Sequence, residues 1–128
     1  VRTELADSLP PVLADPQQLR QIVHNLVQNA QDAMAGQYGA EVLLRTRRSD
    51  GGPWVRLAVI DHGPGFSEHI LKRAFEPFFT TKSKGTGLGL AVVKKIMEEH
   101  GGRVDISNRM TDNKVTGAQV SLSFAVAN

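Results

Sequence analysis

The chain has 128 residues and a formal net charge of +2, a size that suits one domain with a buried core of its own. It contains no cysteine, which excludes disulfides, thiolate metal sites and cysteine nucleophiles. No apolar run approaches the roughly 18 residues of a membrane span, and Val1-Arg2-Thr3-Glu4 lacks the apolar core of a signal peptide, so a soluble, cytoplasmic chain is expected.

Up to Ala14 the chain reads as an extended edge piece, because Pro10 and Pro11 remove backbone donors and restrict the residues before them. Asp15-Pro16 then predicts a helix start. The carboxylate can cap, proline suits the first helical position, and Gln18 stands where a capping-box partner would. Leu19, Ile22, Val23, Leu26, Val27, Ala30 and Met34 recur at helical spacing as a buried stripe, which Gly36 ends. Two strands are expected next, Glu41 to Arg48 and Trp54 to Asp61, joined by Asp50-Gly51-Gly52-Pro53 into an antiparallel hairpin. Arg45, Arg47 and Arg48 form the densest basic cluster and read as a solvated strand face. Nucleic-acid binding would ask for more basic charge on one surface, with stacking aromatics nearby.

His62-Gly63-Pro64-Gly65 reads as a loop, with Ser67 capping a short helix through Ala74. Phe75 to Lys84 has no clean periodicity and reads as an ordered but mobile loop. A helix from Leu88 carries Val92, Val93, Ile96 and Met97 on its buried face and ends at Gly101-Gly102. Strands from Arg103 to Ser107 and from Gln119 to Val126 close the chain, with Met110 to Gly117 as a polar connection. Helices interspersed with hairpin-connected strands predict an α+β two-layer sandwich, with helices on one face of a mixed sheet.

Three places carry candidate chemistry. Gly85, Gly87 and Gly89 open a helix where glycine is unfavourable, as expected of a cradle that brings backbone N–H groups and a helix dipole to a phosphate, although a plain connecting turn would look the same. Asn25, Asn29 and Asp32 fall within an arc of about 60° beside the apolar stripe. A carboxamide oxygen there, with Asn29 the candidate, can ligate Mg²⁺ shared with substrate phosphates; an ordinary solvated helix face is the alternative. Asp61 ends a strand before Gly63 and Gly65, where its carboxylate could accept from an exocyclic amine such as that of adenine or simply close an Asx-turn.

Taken in order, these segments resemble the ATP-binding catalytic domain of sensor histidine kinases, the Bergerat fold shared with gyrase, Hsp90 chaperones and MutL-type repair ATPases. Asn25-Leu26-Val27-Gln28-Asn29-Ala30 resembles the asparagine box, Asp61-His62-Gly63-Pro64-Gly65 the first glycine box, Phe75-Glu76-Pro77-Phe78-Phe79 the phenylalanine box, and Gly85 to Leu90 the second glycine box. The run Phe75 to Lys82 is most similar to the nitrogen-regulation sensor kinases. The resemblance covers nearly the whole chain. It implies one catalytic and ATP-binding domain over 1–128 with an ATP lid at about 75–87, lacking a dimerisation and phosphoacceptor domain.

By the same resemblance Asn29 would ligate the Mg²⁺ of the bound triphosphate, with Asn25 and Asp32 beside it, and Asp61 would accept from the adenine amine. Gly63 and Gly65 would shape the adenine pocket, Thr86, Gly87, Leu88 and Gly89 would hold phosphates, and Lys82 and Lys84 would reach the γ-phosphate. The related ATPases carry a general-base glutamate where this chain has Asn25, and a carboxamide takes no proton at neutral pH. Transfer to a protein histidine is therefore expected over hydrolysis, with an ATPase or a non-catalytic ATP-sensing scaffold as alternatives. None of His24, His62, His69 and His100 precedes an acidic residue, so they read as loop or surface histidines and the acceptor is expected on a separate hairpin. The isolated chain is expected to be a monomer that meets a response regulator only indirectly, and binds neither nucleic acid nor membrane. Ala118 stands after Gly117 where family members often carry a hydroxyl residue that helps a water bridge to the adenine-binding aspartate.

Overall fold

The computed structural model describes residues 2–6, 12, 14–37, 39–48, 53–76 and 90–126. Asp15 caps α1 (Pro16–Ala33), its Oδ1 accepting the Gln17 N–H at 2.9 Å and that of Gln18 at 3.4 Å. The expected return bond from Gln18 is replaced. The Asp15 N–H instead donates to His100 Nε2 at 3.1 Å, while His100 Nδ1 donates to the Ile96 carbonyl at 2.7 Å. One neutral imidazole thus ties the start of α1 to the end of α3 (Leu90–Glu99), so His100 is a structural link and not a bystander at the surface.

The strands are β1 (Arg2–Glu4), β2 (Leu43–Arg48), β3 (Trp54–Ile60), β4 (Arg103–Thr111) and β5 (Lys114–Ala125), in the order β1-β2-β3-β5-β4. β1 runs parallel to β2 and the other neighbours are antiparallel, giving the expected mixed sheet. β1 lies at the sheet edge, and Val12 makes an isolated antiparallel bridge to Val126, while Pro10, Pro11 and Leu13 of the expected extended piece lie outside the described residues. β2 and β3 pair antiparallel as expected, with Arg48 opposite Val55, while Asp50, Gly51 and Gly52 of the expected turn lie outside the described residues; Asp61 lies just beyond β3.

The C-terminal region departs from expectation. Met110 to Gly117 is not a loop: β4 and β5 extend through it into one long hairpin, closed by Asp112 and Asn113, both in the left-handed region at φ 50° and 63°. Asp and Asn tolerate that region because their short polar side chains bond locally, so the pair makes a two-residue turn without a glycine. The polar composition around the turn reflects exposure on a projecting hairpin, and polarity alone does not separate that from a loop.

Both long helices pack on one sheet face. Ile22, Leu26 and Ala30 of α1, with Met34 just beyond it, and Val93 and Met97 of α3 meet Val59, Val104, Leu122 and Phe124 in a single core. Val92, expected on that face, is 41% exposed; the buried stripe of α3 runs through Val93 and Met97, one position round. α2 (Glu68–Arg73) is capped by Ser67, whose Oγ accepts the Ile70 N–H at 3.2 Å. Among the described residues no helix is long and apolar enough to cross a membrane.

Candidate functional site

Asp61 leaves β3 still bonded to β5, its N–H donating to the Ala118 carbonyl at 2.9 Å. Its Oδ1 accepts the Gly63 N–H at 2.9 Å and the Ala118 N–H at 3.2 Å. The first bond is the Asx-turn and the second anchors the carboxylate to the neighbouring strand. Asp61 is only 7% exposed, yet no buried side-chain polar atom among the described residues lacks a partner. Oδ2, with no hydrogen bond among those residues, therefore reaches solvent-accessible space as a fixed acceptor. The Ala118 backbone N–H holds Oδ1 directly, with no hydroxyl at that position.

This placement depends on glycine at two points. A Cβ at Gly117 would overlap the Asp61 carbonyl oxygen, and one at Gly63 would lie 2.9 Å from the Ala33 carbonyl oxygen. The loop after β3 is thereby pressed onto the end of α1. Met34 Sδ accepts the His62 N–H at 3.2 Å, and Gln37 Nε2 donates to the His62 carbonyl at 3.2 Å. Ala33 is one helical turn beyond Asn29, so α1 carries Asn29 toward the same end of the sandwich as Asp61.

Of the three polar residues on α1, the structure sets one apart. Asn25 is committed to its own helix, its Nδ2 donating to the Gln21 carbonyl at 2.7 Å, and Asp32 accepts from Gln28 Nε2 at 3.2 Å. The Asn29 carboxamide is half-buried and makes no hydrogen bond to the described residues. A half-buried neutral oxygen without a partner suits Mg²⁺, which binds few protein oxygens and completes its shell with water and substrate phosphate. No three His, Asp or Glu side chains converge among the described residues, so a metal here would depend on substrate oxygens as well.

Gly65 is held to glycine by its backbone and its neighbours. It sits at φ +80°, and a Cβ there would lie 2.5 Å from Val115 Cγ1 and 2.8 Å from Asn108 Oδ1. The long hairpin therefore packs directly on the loop. Asn108 clamps that loop at the next residue: its Oδ1 accepts the Phe66 N–H at 2.6 Å and its Nδ2 donates to the Phe66 carbonyl at 2.8 Å. Sequence reasoning missed Asn108. Asparagine is depleted inside strands, and its presence between alternating apolar residues was the available signal.

Of the residues expected to form a lid, Phe75 and Glu76 are described. Phe75 packs against the core, and Lys94 Nζ of α3 lies 5.5 Å from its ring centroid, a cation–π distance. Lys82, Lys84, Thr86, Gly87, Leu88 and Gly89 lie outside the described residues, as does the rest of the expected lid. Leu90, which ends the second glycine box, is the first residue of α3.

Residues 14–128 match the family described as histidine kinase-, DNA gyrase B- and HSP90-like ATPase. The chain is 43% identical over 103 residues to sensor histidine kinase ZraS of Escherichia coli, covering 80% of this chain and 21% of that protein. It is 43% identical over 110 residues to sensory histidine kinase/phosphatase NtrB of Rhodobacter capsulatus, covering 79% and 31%. The catalytic domain of histidine kinase ThkA superposes with a TM-score of 0.80 at 32% identity, covering 97% of this chain and 76% of that one. The chain thus spans about a fifth to a third of these full-length curated relatives and most of an isolated catalytic domain. With the mixed sheet, the anchored aspartate and the four ordered boxes, the chain belongs to the histidine kinase-, DNA gyrase B- and HSP90-like ATPase family, on its sensor histidine kinase branch.

Proposed function

We propose that this chain binds ATP with Mg²⁺ and presents the γ-phosphoryl group to a histidine on a separate dimerisation and phosphoacceptor hairpin, in two-component signalling. The observation that carries this reading is Asp61, whose Oδ1 is fixed by two backbone N–H groups while Oδ2 remains an acceptor. A carboxylate held this way discriminates for a donor, and the exocyclic amine of adenine supplies one. Asn29, whose carboxamide has no hydrogen bond among the described residues, offers its oxygen to the metal. Bound Mg²⁺ neutralises triphosphate charge.

Thr86, Gly87, Leu88 and Gly89 are assigned to the phosphates through their backbone, and Lys82 and Lys84 to the γ-phosphate, because an ammonium on a flexible stem follows a moving group. Asn25 lacks the basicity to activate water, and its Nδ2 is engaged with Gln21. Catalysis in this scheme is positioning and electrostatic stabilisation, and the nucleophile is the partner's imidazole. A response regulator then receives the phosphoryl group from that histidine. The domain works in the cytoplasm as a monomer unless a phosphoacceptor hairpin dimerises it.

The test mixes the chain with its cognate histidine hairpin and labelled ATP. Acid-labile phosphate on the hairpin is expected, and its absence with a folded hairpin would favour a scaffold. Asn29→Ala should lose the Mg²⁺-dependent part of ATP-analogue affinity, tenfold or more on the order of one lost ligand contact. Calorimetry giving equal affinity to the original chain in the presence of Mg²⁺ would remove Asn29 from the metal.

A further inference from the structure

The sheet face turned away from the helices is unusually rich in arginine. Leu57 and Val59 point into the core, so their neighbours on β3 point outward, and strand register carries that side across the sheet. One complete row across β2, β3, β5 and β4 reads Arg47, Arg56, Ser123, Arg103. It spans three strand spacings, roughly 14 Å. Arg47 and Arg56 are exposed and directly opposite one another, a like-charge pairing that destabilises a sheet. None of the three arginines pairs with a carboxylate among the described residues. Folding does not account for such a row, and a break in local consistency without structural compensation marks a surface with a use.

The adjacent row reads Glu4, Arg45, Ala58, Ser121, Asp105, with carboxylates only at its two ends. There Arg45 donates from Nε at 3.2 Å and Nη2 at 3.0 Å to Glu4 Oε2. The face therefore already shows how its guanidinium groups hold a carboxylate.

We infer that this outer sheet face docks a carboxylate-rich surface of a partner protein, through Arg47, Arg56 and Arg103. Arginine matches carboxylates by bidentate geometry, and the central row fits acidic side chains while Glu4 and Asp105 at the margins fit basic ones. A phosphodiester chain is the poorer match. Glu4 and Asp105 lie one row away, roughly 7 Å along the strands and inside a Debye length, and Trp54 is the only aromatic side chain among the described residues of this face. A charge-dominated patch of this size belongs to transient interfaces, whose encounter rate and specificity are set by electrostatics.

The test uses the isotope-labelled chain and a deca-glutamate peptide, followed by amide shifts in NMR. Shifts are expected at Arg45, Arg47, Arg56 and Arg103, with affinity falling at least about fivefold between about 0.05 and 0.3 M NaCl. The double variant Arg47→Gln, Arg56→Gln should bind the peptide at least about fivefold more weakly while keeping its ATP-analogue affinity. Shifts centred instead on Lys82, Lys84, Lys94 and Lys95, or unchanged binding by the double variant, would overturn the assignment. So would tighter binding of a short DNA duplex or of phosphatidylserine vesicles at the same salt, which would make the face a phosphate-binding one. None of these outcomes bears on the nucleotide site, which occupies other residues.

Discussion

Asp61 illustrates how two requirements share one side chain. Its Oδ1 closes the Asx-turn that shapes the loop, and in the proposed reading its Oδ2 meets the ligand. Asp61→Asn separates the two, because the asparagine oxygen can still accept from Gly63 and Ala118 while its amide adds a donor toward the adenine amine. Affinity for an ATP analogue should fall by about 1–3 kcal/mol, with the preference over GTP collapsing and stability changing less. Calorimetry with both nucleotides measures this, and an unchanged preference would count against the adenine contact. Gly117 serves the same site from the opposite strand. Gly117→Ala drives a methyl group into the Asp61 carbonyl oxygen, which is backbone and cannot swing aside. A stability loss of about 1–3 kcal/mol is expected in denaturant titrations, together with weaker nucleotide binding, as for overpacking in general.

At the scale of elements, the β4–β5 hairpin does more than complete the sheet. Its Asn108 holds Phe66 by both backbone groups, and its Val115 packs against Gly65, so the hairpin fixes the loop that begins at Asp61. Asn108→Ala leaves the Phe66 N–H and carbonyl without partners, a cost of about 1–3 kcal/mol if they stay out of water. Faster hydrogen exchange at the Phe66 amide, with a drop in ATP-analogue affinity, is the expected result. Exchange at Phe66 unchanged from the original chain would mean that the loop holds itself. The hairpin is also where sequence patterning was least informative: alternation faded between Met110 and Gly117 because both faces of a projecting ribbon meet water, and Asp112-Asn113 is a weaker turn signal than a glycine pair. α1, by contrast, was legible nearly to the residue, since Asp15-Pro16 marks its start and an unbroken stripe from Leu19 to Met34 marks its buried side.

Across the whole molecule, the described pieces of the candidate site come from α1 and the loop after β3. Short motifs pointed to Asn29 and Asp61, because the metal and adenine chemistry proposed for them would demand those residue types. The contacts of His100, Gln37 and Asn108 were not legible, because each joins segments far apart in the chain. A ligand bridging such segments should stabilise the fold as a unit. It binds the folded chain and not the unfolded one, so at about 100-fold excess over Kd it contributes about 2.7 kcal/mol. Unfolding entropy of roughly 2.1 cal/mol/K per residue converts that, for 128 residues, into a rise in Tm of about 10 °C. The rise should require Mg²⁺ in large part, shrink sharply in Asp61→Asn, and survive intact in Arg47→Gln, Arg56→Gln, whose positions lie on the far side of the sheet. Thermal denaturation with and without an ATP analogue reads all three together, and a Tm indifferent to nucleotide in the original chain would remove the premise that Asn29 and Asp61 share a ligand.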